Sequence, residues 1–188
     1  MSAGTKANVT TGKRRTAGGI YWAPPGTTLP TDASTALAAA FKTVGYIGED
    51  GVTNSKGRET VDIKEWGGES VMSEVVSQSE TYQFKALEYL NVDVLKAVFG
   101  TENVTESSGA ITVIVKAGTY GKGVWCIDTA LNGGRLQRIV IPDGAITEMG
   151  DIVYVANDAT SFDITLACNF DPTIGGTSKI LISAAPST

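Results

Sequence analysis

The chain has 188 residues, a net charge of −5, 42% hydrophobic and 19% charged side chains, and no histidine. That length suits one domain with a sizeable core, and that composition excludes a disordered chain. The missing imidazole removes the commonest general base, the commonest transition-metal ligand and every Ser-His or Cys-His nucleophile pair.

The N-terminal stretch from Met1 to Gly19 is polar and lacks the apolar segment of a secretory signal. Apolar runs reach only four to six residues, far short of the roughly 20 of a membrane helix. The sequence therefore reads as a protein made and folded in a cytosol, with no membrane partner. Residues 1–17 read as an N-terminal arm, and residues 18–188 as a single domain. Lys6, Lys13, Arg14 and Arg15 precede the first carboxylate, Asp32, and the rest of the chain holds 11 basic and 20 acidic side chains. A basic arm on an acidic body suits docking on a neighbouring copy. The body is too acidic for a DNA-binding module.

Residues 18–23 read as a short strand, stopped by Pro24-Pro25-Gly26. Asp32 is placed to cap one or two helical turns over the alanine-rich stretch to Phe41. Thr43 to Ile47 reads as a strand, and residues 48–57 as a polar, glycine-bearing loop. Alternation predicts a strand from Arg58 to Trp66, broken by Gly67-Gly68. Glu69–Ser77 and Glu80–Tyr89 read as two strands joined at Gln78-Ser79, with Tyr82, Phe84 and Ala86 on one face.

Asn91 to Phe99 reads as a helix with an Asn cap, Asp93 in its first turn and Gly100 at its end. Val92, Leu95, Val98 and Phe99 share one face. So short a helix must lie on a larger apolar surface. Beyond it, strands are expected at Ala110–Lys116, Gly123–Thr129, Arg135–Ile141, Ala145–Val155, Ser161–Phe170 and Lys179–Ala184. Turns are expected at Asn132-Gly133-Gly134, Pro142-Asp143-Gly144, Asn157-Asp158 and Gly175-Gly176, with a bulge at Gly150. Consecutive strands with short turns make antiparallel sheets that close as a sandwich or barrel. The fold class is thus mainly β: two packed antiparallel sheets flanked by one α-helix.

Cys126 and Cys168 sit in apolar strand-like runs and read as buried free thiols. Gly118-Thr-Tyr-Gly-Lys-Gly123 lacks the ending of a phosphate loop and reads as a hairpin turn. Asp143, Glu148, Asp151, Asp158 and Asp163 offer oxygens for a structural ion but match no EF-hand spacing. No cofactor is implied. Trp66 and Trp125 fit core or interface better than a ligand platform. The segment from residue 43 to 70 is too long and too apolar on one side to be anchored within one small domain. Its partner surface is expected on another subunit.

Five blocks then fall in a telling order: Thr28-Leu29-Pro30-Thr31-Asp32-Ala33, Ala39-Ala40-Phe41, Val44-Gly45-Tyr46-Ile47, Glu49-Asp50-Gly51-Val52 and Glu65-Trp66-Gly67-Gly68. In this order the sequence resembles the major tail (tail tube) proteins of long-tailed, non-contractile bacteriophages. The resemblance is strongest over residues 17–100 and includes Phe84-Lys85 and the helix Val92–Phe99. Many relatives carry a further C-terminal immunoglobulin-like domain, which the sequence to Thr188 does not show, so a surface-adhesion role is not expected.

The resemblance implies a tail-tube fold of two packed sheets flanked by a helix. It implies six copies per ring, rings stacked into a hollow tube, and DNA passing transiently through without sticking. It implies tape-measure, tail-terminator and tail-tip proteins as partners, a place in the virion tail, and assembly in the host bacterial cytoplasm. No catalytic role is implied. Residues 48–68 become a long inter-subunit loop and strand. Inter-ring contacts are expected from Lys13, Arg14, Arg15, Glu49, Asp50, Val52, Asn54, Lys56, Arg58 and Trp66. Lumen positions are expected at Ser73, Ser77, Thr81, Gln83, Lys85, Gln137 and Arg138. A ring of six carries about −30 at standard ionisation, and an acidic bore repels phosphate where a basic one would hold it. The alternatives are a soluble β-sandwich binding or capsid-decorating module, which needs an exposed aromatic platform, and a two-carboxylate hydrolase, which needs a cleft with paired acids.

Overall fold

A computed structural model describes residues 4–15, 19–118 and 120–186. The ends of the expected arm (1–3 and 16–17), Gly18, Thr119 and the last two residues lie outside these. The strands are β1 (Lys13–Arg14), β2 (Ile20–Ala23), β3 (Lys42–Thr43), β4 (Ile47–Lys64), β5 (Ser70–Ala86), β6 (Val104–Ser107), β7 (Ala110–Val113), β8 (Tyr120–Ala130), β9 (Leu136–Met149), β10 (Phe162–Cys168) and β11 (Lys179–Ile182), with one helix, α1 (Val92–Phe99), among the described residues. The expected mainly β fold with a flanking helix is what forms.

Nine strands make one antiparallel sheet in the order β3-β2-β8-β9-β10-β5-β4, with β1 beside β8 and β11 beside β9; β6 and β7 form a separate ribbon. The first and last strands of that order, β3 and β4, are joined by only three residues, Val44 to Tyr46. So short a link holds the two edges within about 14 Å of each other, and the sheet must curl round. Val44 donates to the Ile20 carbonyl on one edge, and Leu87 donates to the Tyr46 carbonyl on the other (both 2.9 Å). Gly45 makes the corner at φ +79°, where a Cβ would collide with the Glu88 carboxylate.

The curled sheet wraps a core of Ile20, Trp22, Tyr82, Phe84, Trp125, Ile127, Ile141, Phe162, Ile164 and Leu166. The alternation of Tyr82, Phe84 and Ala86 toward that core is as the sequence predicts. α1 closes the open side with Val94, Leu95, Ala97, Val98 and Phe99. Phe99 meets Phe162 and Tyr120 edge-on at 5.8 and 6.0 Å. Each such apolar side chain contributes about 1.5–3 kcal/mol on burial. Asn91 caps the helix by accepting from the Asp93 amide at 2.9 Å, and Gly100 ends it at φ +93°.

Several local expectations give way. The stretch 32–41 is bend and turn rather than helix. Asp32 caps the Ser34 and Thr35 amides (2.7 and 2.6 Å), but the Arg138 guanidinium takes the Asp32 and Thr35 carbonyls that a helix would need. Pro142 does not end a strand: β9 runs through it. Ile141 faces Trp125 and Gly144 faces Gly123, so one extra residue bulges there, where a missing N–H costs nothing. A second bulge falls at Thr147, not at Gly150, since Glu148 and Ile146 face successive residues of β10. The strand expected to reach Val155 stops at Met149. Residues 116–118 link the ribbon to the main sheet rather than turning a hairpin, because β7 pairs with β6 and β8 with β9, β2 and β1.

A long hairpin as the candidate assembly surface

The largest departure from the sequence reading is at residues 47–86. The expected loop at 48–57 and the expected turn at Gln78-Ser79 are both strand. β4 and β5 form one antiparallel hairpin of 18 and 17 residues, in register from Val52↔Phe84 to Lys64↔Ser70. The turn is Glu65 to Glu69, where Glu65 donates to the Glu69 carbonyl and Gly68 to that of Glu65 (both 2.9 Å). Gly68, at φ +89°, supplies the left-handed turn residue. The polar residues that suggested a loop (Glu49, Asp50, Asn54, Ser55) are polar because this strand is largely solvated, not because the chain turns there.

The root of the hairpin belongs to the body and the rest leaves it. Tyr82, Phe84 and Ala86 are core, whereas every residue from Thr53 to Ser79 is exposed. At about 3.4 Å per residue, Gly57 to Lys64 and its partner strand carry the turn roughly 25 Å beyond the root. This projection displays Val61, Ile63, Trp66, Val71, Met72, Val75 and Val76, all between 41% and 105% exposed. Ile63 stands directly opposite Met72. A two-stranded ribbon in water is marginal by itself, and so many exposed apolar side chains on one are uncommon on a monomer's surface.

The junction of root and projection is a buried carboxylate. Glu80 is 5% exposed. It accepts from Thr177 Oγ1 (2.5 Å), Ser178 Oγ (2.9 Å), Asn54 Nδ2 and Tyr82 Oη (both 3.1 Å), and Lys56 Nζ lies 3.4 Å away. Burial pushes the Glu80 carboxyl up, but the Thr177, Ser178 and Asn54 hydrogen bonds and the Lys56 charge outweigh it and hold the group below its ordinary value. Both strands of the hairpin and the 177–178 segment are thus fixed to one anion.

The other expected contact residues divide. Glu49, Asp50, Arg58 and Trp66 are open to solvent or nearly so, and Trp66 at the turn is fully exposed. Val52 packs on the core, whereas Asn54 and Lys56 stay exposed but reach Glu80. The arm docks on its own chain. Lys13 and Arg14 pair with Ala130 and Thr129, Arg14 lies over the Tyr46 ring, and Arg15 reaches Asp128 (3.3 Å) and the Ala33 carbonyl (3.0 Å).

The expected lumen positions divide as well. Strands β4, β5, β10 and β9 form a panel whose outer face carries rows fixed by register: Thr53, Gln83, Thr165 and Glu148 in one, Ser55, Thr81, Ala167 and Ala145 in the next, with Lys85 opposite Asp163. Thr81, Gln83 and Lys85 therefore share one polar face, and Ser77 extends it opposite Glu59. A register shift between Glu59 and Thr60 puts Ser73 opposite Asp62, on the other face. Arg138 is a correction: it is 2% exposed and locked to Asp128 by two 2.7 Å hydrogen bonds, because β9 turns this position toward the loop at 32–35. Gln137 is half-buried and lines a cavity of about 660 Å³ between the two halves of the curled sheet with Ile20, Ile127 and Tyr82.

Cys126 and Cys168 are buried free thiols as expected, and burial pushes both up to about 12. Trp125 is core. The carboxylates from Asp143 to Asp163 do not converge, and among the described residues no three metal-ligating side chains do. No helix among them is long and apolar enough to cross a membrane.

The sequence profile of a family described as phage tail tube protein matches residues 8–170. Among solved structures, the chain is similar to the tube-terminating cap of an anti-feeding prophage, at 8% identity over 92% of both chains with a TM-score of 0.43. It is also similar to a chain in the virion of a native gene transfer agent particle, at 14% identity over 86% of this chain and 100% of that one, TM-score 0.35. No curated protein matches the sequence.

Proposed function

The chain belongs to the phage tail tube protein family, a structural component of the phage tail, and we propose that it acts without catalysis, by polymerising into hexameric rings that stack as a hollow tube. The observation that carries this reading is the β4–β5 hairpin, whose exposed apolar residues need a protein surface that one chain does not supply. In the tube the projection reaches the neighbouring ring, with Trp66 at its tip and Val61, Ile63 and Met72 along one face. The polymer offsets the cost of ordering the ribbon with the interface it forms.

The polar face of the β4-β5-β10-β9 panel lines the bore. Six four-stranded panels at about 4.8 Å per strand make a wall roughly 115 Å round and about 37 Å across between backbones, which leaves room for a DNA duplex. On this face Lys85 is outnumbered by Asp163, Glu148 and Glu59, and the other named positions are Thr, Ser, Gln and Ala. Such a wall has short side chains that do not snag and a charge that repels phosphate. Tape-measure, terminator and tip proteins complete the tail. A decorating module is disfavoured, since among the described residues the only fully exposed large aromatic, Trp66, stands on a turn and not on a platform.

Electron microscopy of the purified chain beside a shortened one tests this. Lys56 stands directly opposite Glu80, so an Asn-Gly turn can replace residues 57–79. Tubes or six-fold rings are expected from the full chain and only folded monomers from the shortened one. Normal tubes from the shortened chain would overturn the assignment of the hairpin.

A further inference from the structure

The β4–β5 hairpin changes character at one residue. β5 keeps its neighbour β10 only as far as Thr81, opposite Ala167. From Glu80 outward the ribbon has two strands, and two-stranded ribbons twist and bend more freely than broader sheets. A cleft of about 410 Å³ lies there between Thr177 and the base of the ribbon at Gly57, Arg58, Gln78 and Ser79. The contacts that cross it are polar. Glu80 accepts from Thr177 and Ser178 on the body side and from Asn54 and Tyr82 on the two hairpin strands, with Lys56 beside it.

The body side of this tie is itself braced. In the loop before β11, the Asp171 amide donates to the Gly176 carbonyl (2.9 Å), and the Asp171 carbonyl accepts from the Gly175 amide (3.0 Å). The Asp171 carboxylate accepts from the Thr173 amide (2.7 Å). One residue beyond Ser178, Lys179 enters the sheet opposite Val140. Thr177 and Ser178 are therefore held from both sides and offer two hydroxyls at a fixed place. A carboxylate suits the other end of the tie, because its two oxygens can accept from several donors arriving from different directions.

Resting on the tube reading above, we propose that Glu80 is a positioning residue for assembly: through Thr177 and Ser178 it fixes the direction in which the hairpin leaves the body. Leverage makes that direction matter. With the turn roughly 25 Å from the root, a swing of about 10° at Glu80 carries Trp66 sideways by about 4 Å. That distance is the span of one side-chain contact, enough to miss a neighbour's surface. A ribbon held in one direction meets its neighbour already ordered, whereas a swinging one loses that freedom on binding.

The test cuts the tie while leaving Glu80 its hairpin partners. Thr177→Val combined with Ser178→Ala removes both body-side hydroxyls and spares Asn54, Tyr82 and Lys56; Thr177→Ser keeps both hydroxyls and is the control. Spin labels on Ser73→Cys in the ribbon and Lys122→Cys in β8, both exposed positions, report the hairpin direction in the unassembled protein. The buried Cys126 and Cys168 stay unlabelled. Expected is one narrow distance distribution for the labelled chain and for Thr177→Ser, and one at least twice as wide for the double variant, with unchanged circular dichroism. Without labels, the double variant should form tubes at least tenfold more slowly than the control. A broad distribution in the labelled chain with Glu80, Thr177 and Ser178 intact would overturn the clamp, whether or not the variants fold. So would a double variant that keeps the narrow distribution or forms tubes at the wild-type rate. A wild-type chain that forms no tubes would overturn the tube reading and the role in assembly with it, while a narrow distribution that widens in the double variant would still establish the clamp.

Discussion

Two buried anions organise this chain residue by residue. Asp128, 3% exposed, receives Arg138 in a two-bond fork and Arg15 from the arm. Arg138 in turn gathers the carbonyls of the 32–35 turn. Removing one partner of such a cluster strands the other charge, which is the costly event for buried pairs. Glu80 does the same work at the root of the hairpin. Replacing Glu80 with Ala leaves the hydroxyls of Tyr82, Thr177 and Ser178 without their acceptor, and should destabilise the body by about 1–3 kcal/mol in urea titrations. The sign with pH follows from its lowered pKa. The contribution is complete above the unfolded value of about 4.3–4.5 and is lost as pH falls through the lower folded value. Wild type and Glu80→Ala should therefore converge in stability toward acid. A difference that stayed constant down to pH 2 would rule out the ionised carboxylate as the source.

At the scale of elements, the helix and the hairpin follow different rules. α1 is specified locally by its cap, its glycine stop and its apolar spacing, and forms where the sequence places it. Asn91→Ala should cost about 1 kcal/mol, seen as a lower urea midpoint with an unchanged slope; no change would mean that packing alone holds the helix. The β4–β5 hairpin was only half legible. Tyr82, Phe84 and Ala86 alternate cleanly because one face is core. From Gly57 to Ser79 both faces are wet in the monomer, so polarity no longer reports the strand period, and polar residues mimic a loop. The bulges at Val71 and Val76 further disrupt alternation. Ser73 and Ser77, four residues apart, end on opposite faces for that reason.

For the whole molecule, the hairpin and the body are energetically separable. No residue from 57 to 79 belongs to either core cluster. Replacing 57–79 with Asn-Gly should thus leave the urea stability of the body within about 0.5 kcal/mol, even as it abolishes tubes. A large loss would mean that the ribbon folds back onto its own chain. The core is closed by α1 without any contribution from the ribbon, so the body can fold before any neighbour is met.

By itself the sequence determined the β-rich class, the capped helix, the shared face of Tyr82, Phe84 and Ala86, the buried thiols and the family resemblance. These depend on composition, short-range periodicity and local motifs, all of which are written in consecutive residues. Only the tertiary structure decided that residues 47–86 are one continuous hairpin, that Arg138 is buried, that Gln83, Thr165 and Glu148 stand in one row, and that the strand-like segment after Met149 is unpaired. Those outcomes turn on which strands become neighbours and in what register. Sequence separations of tens to more than a hundred residues set them, and no local pattern reports them.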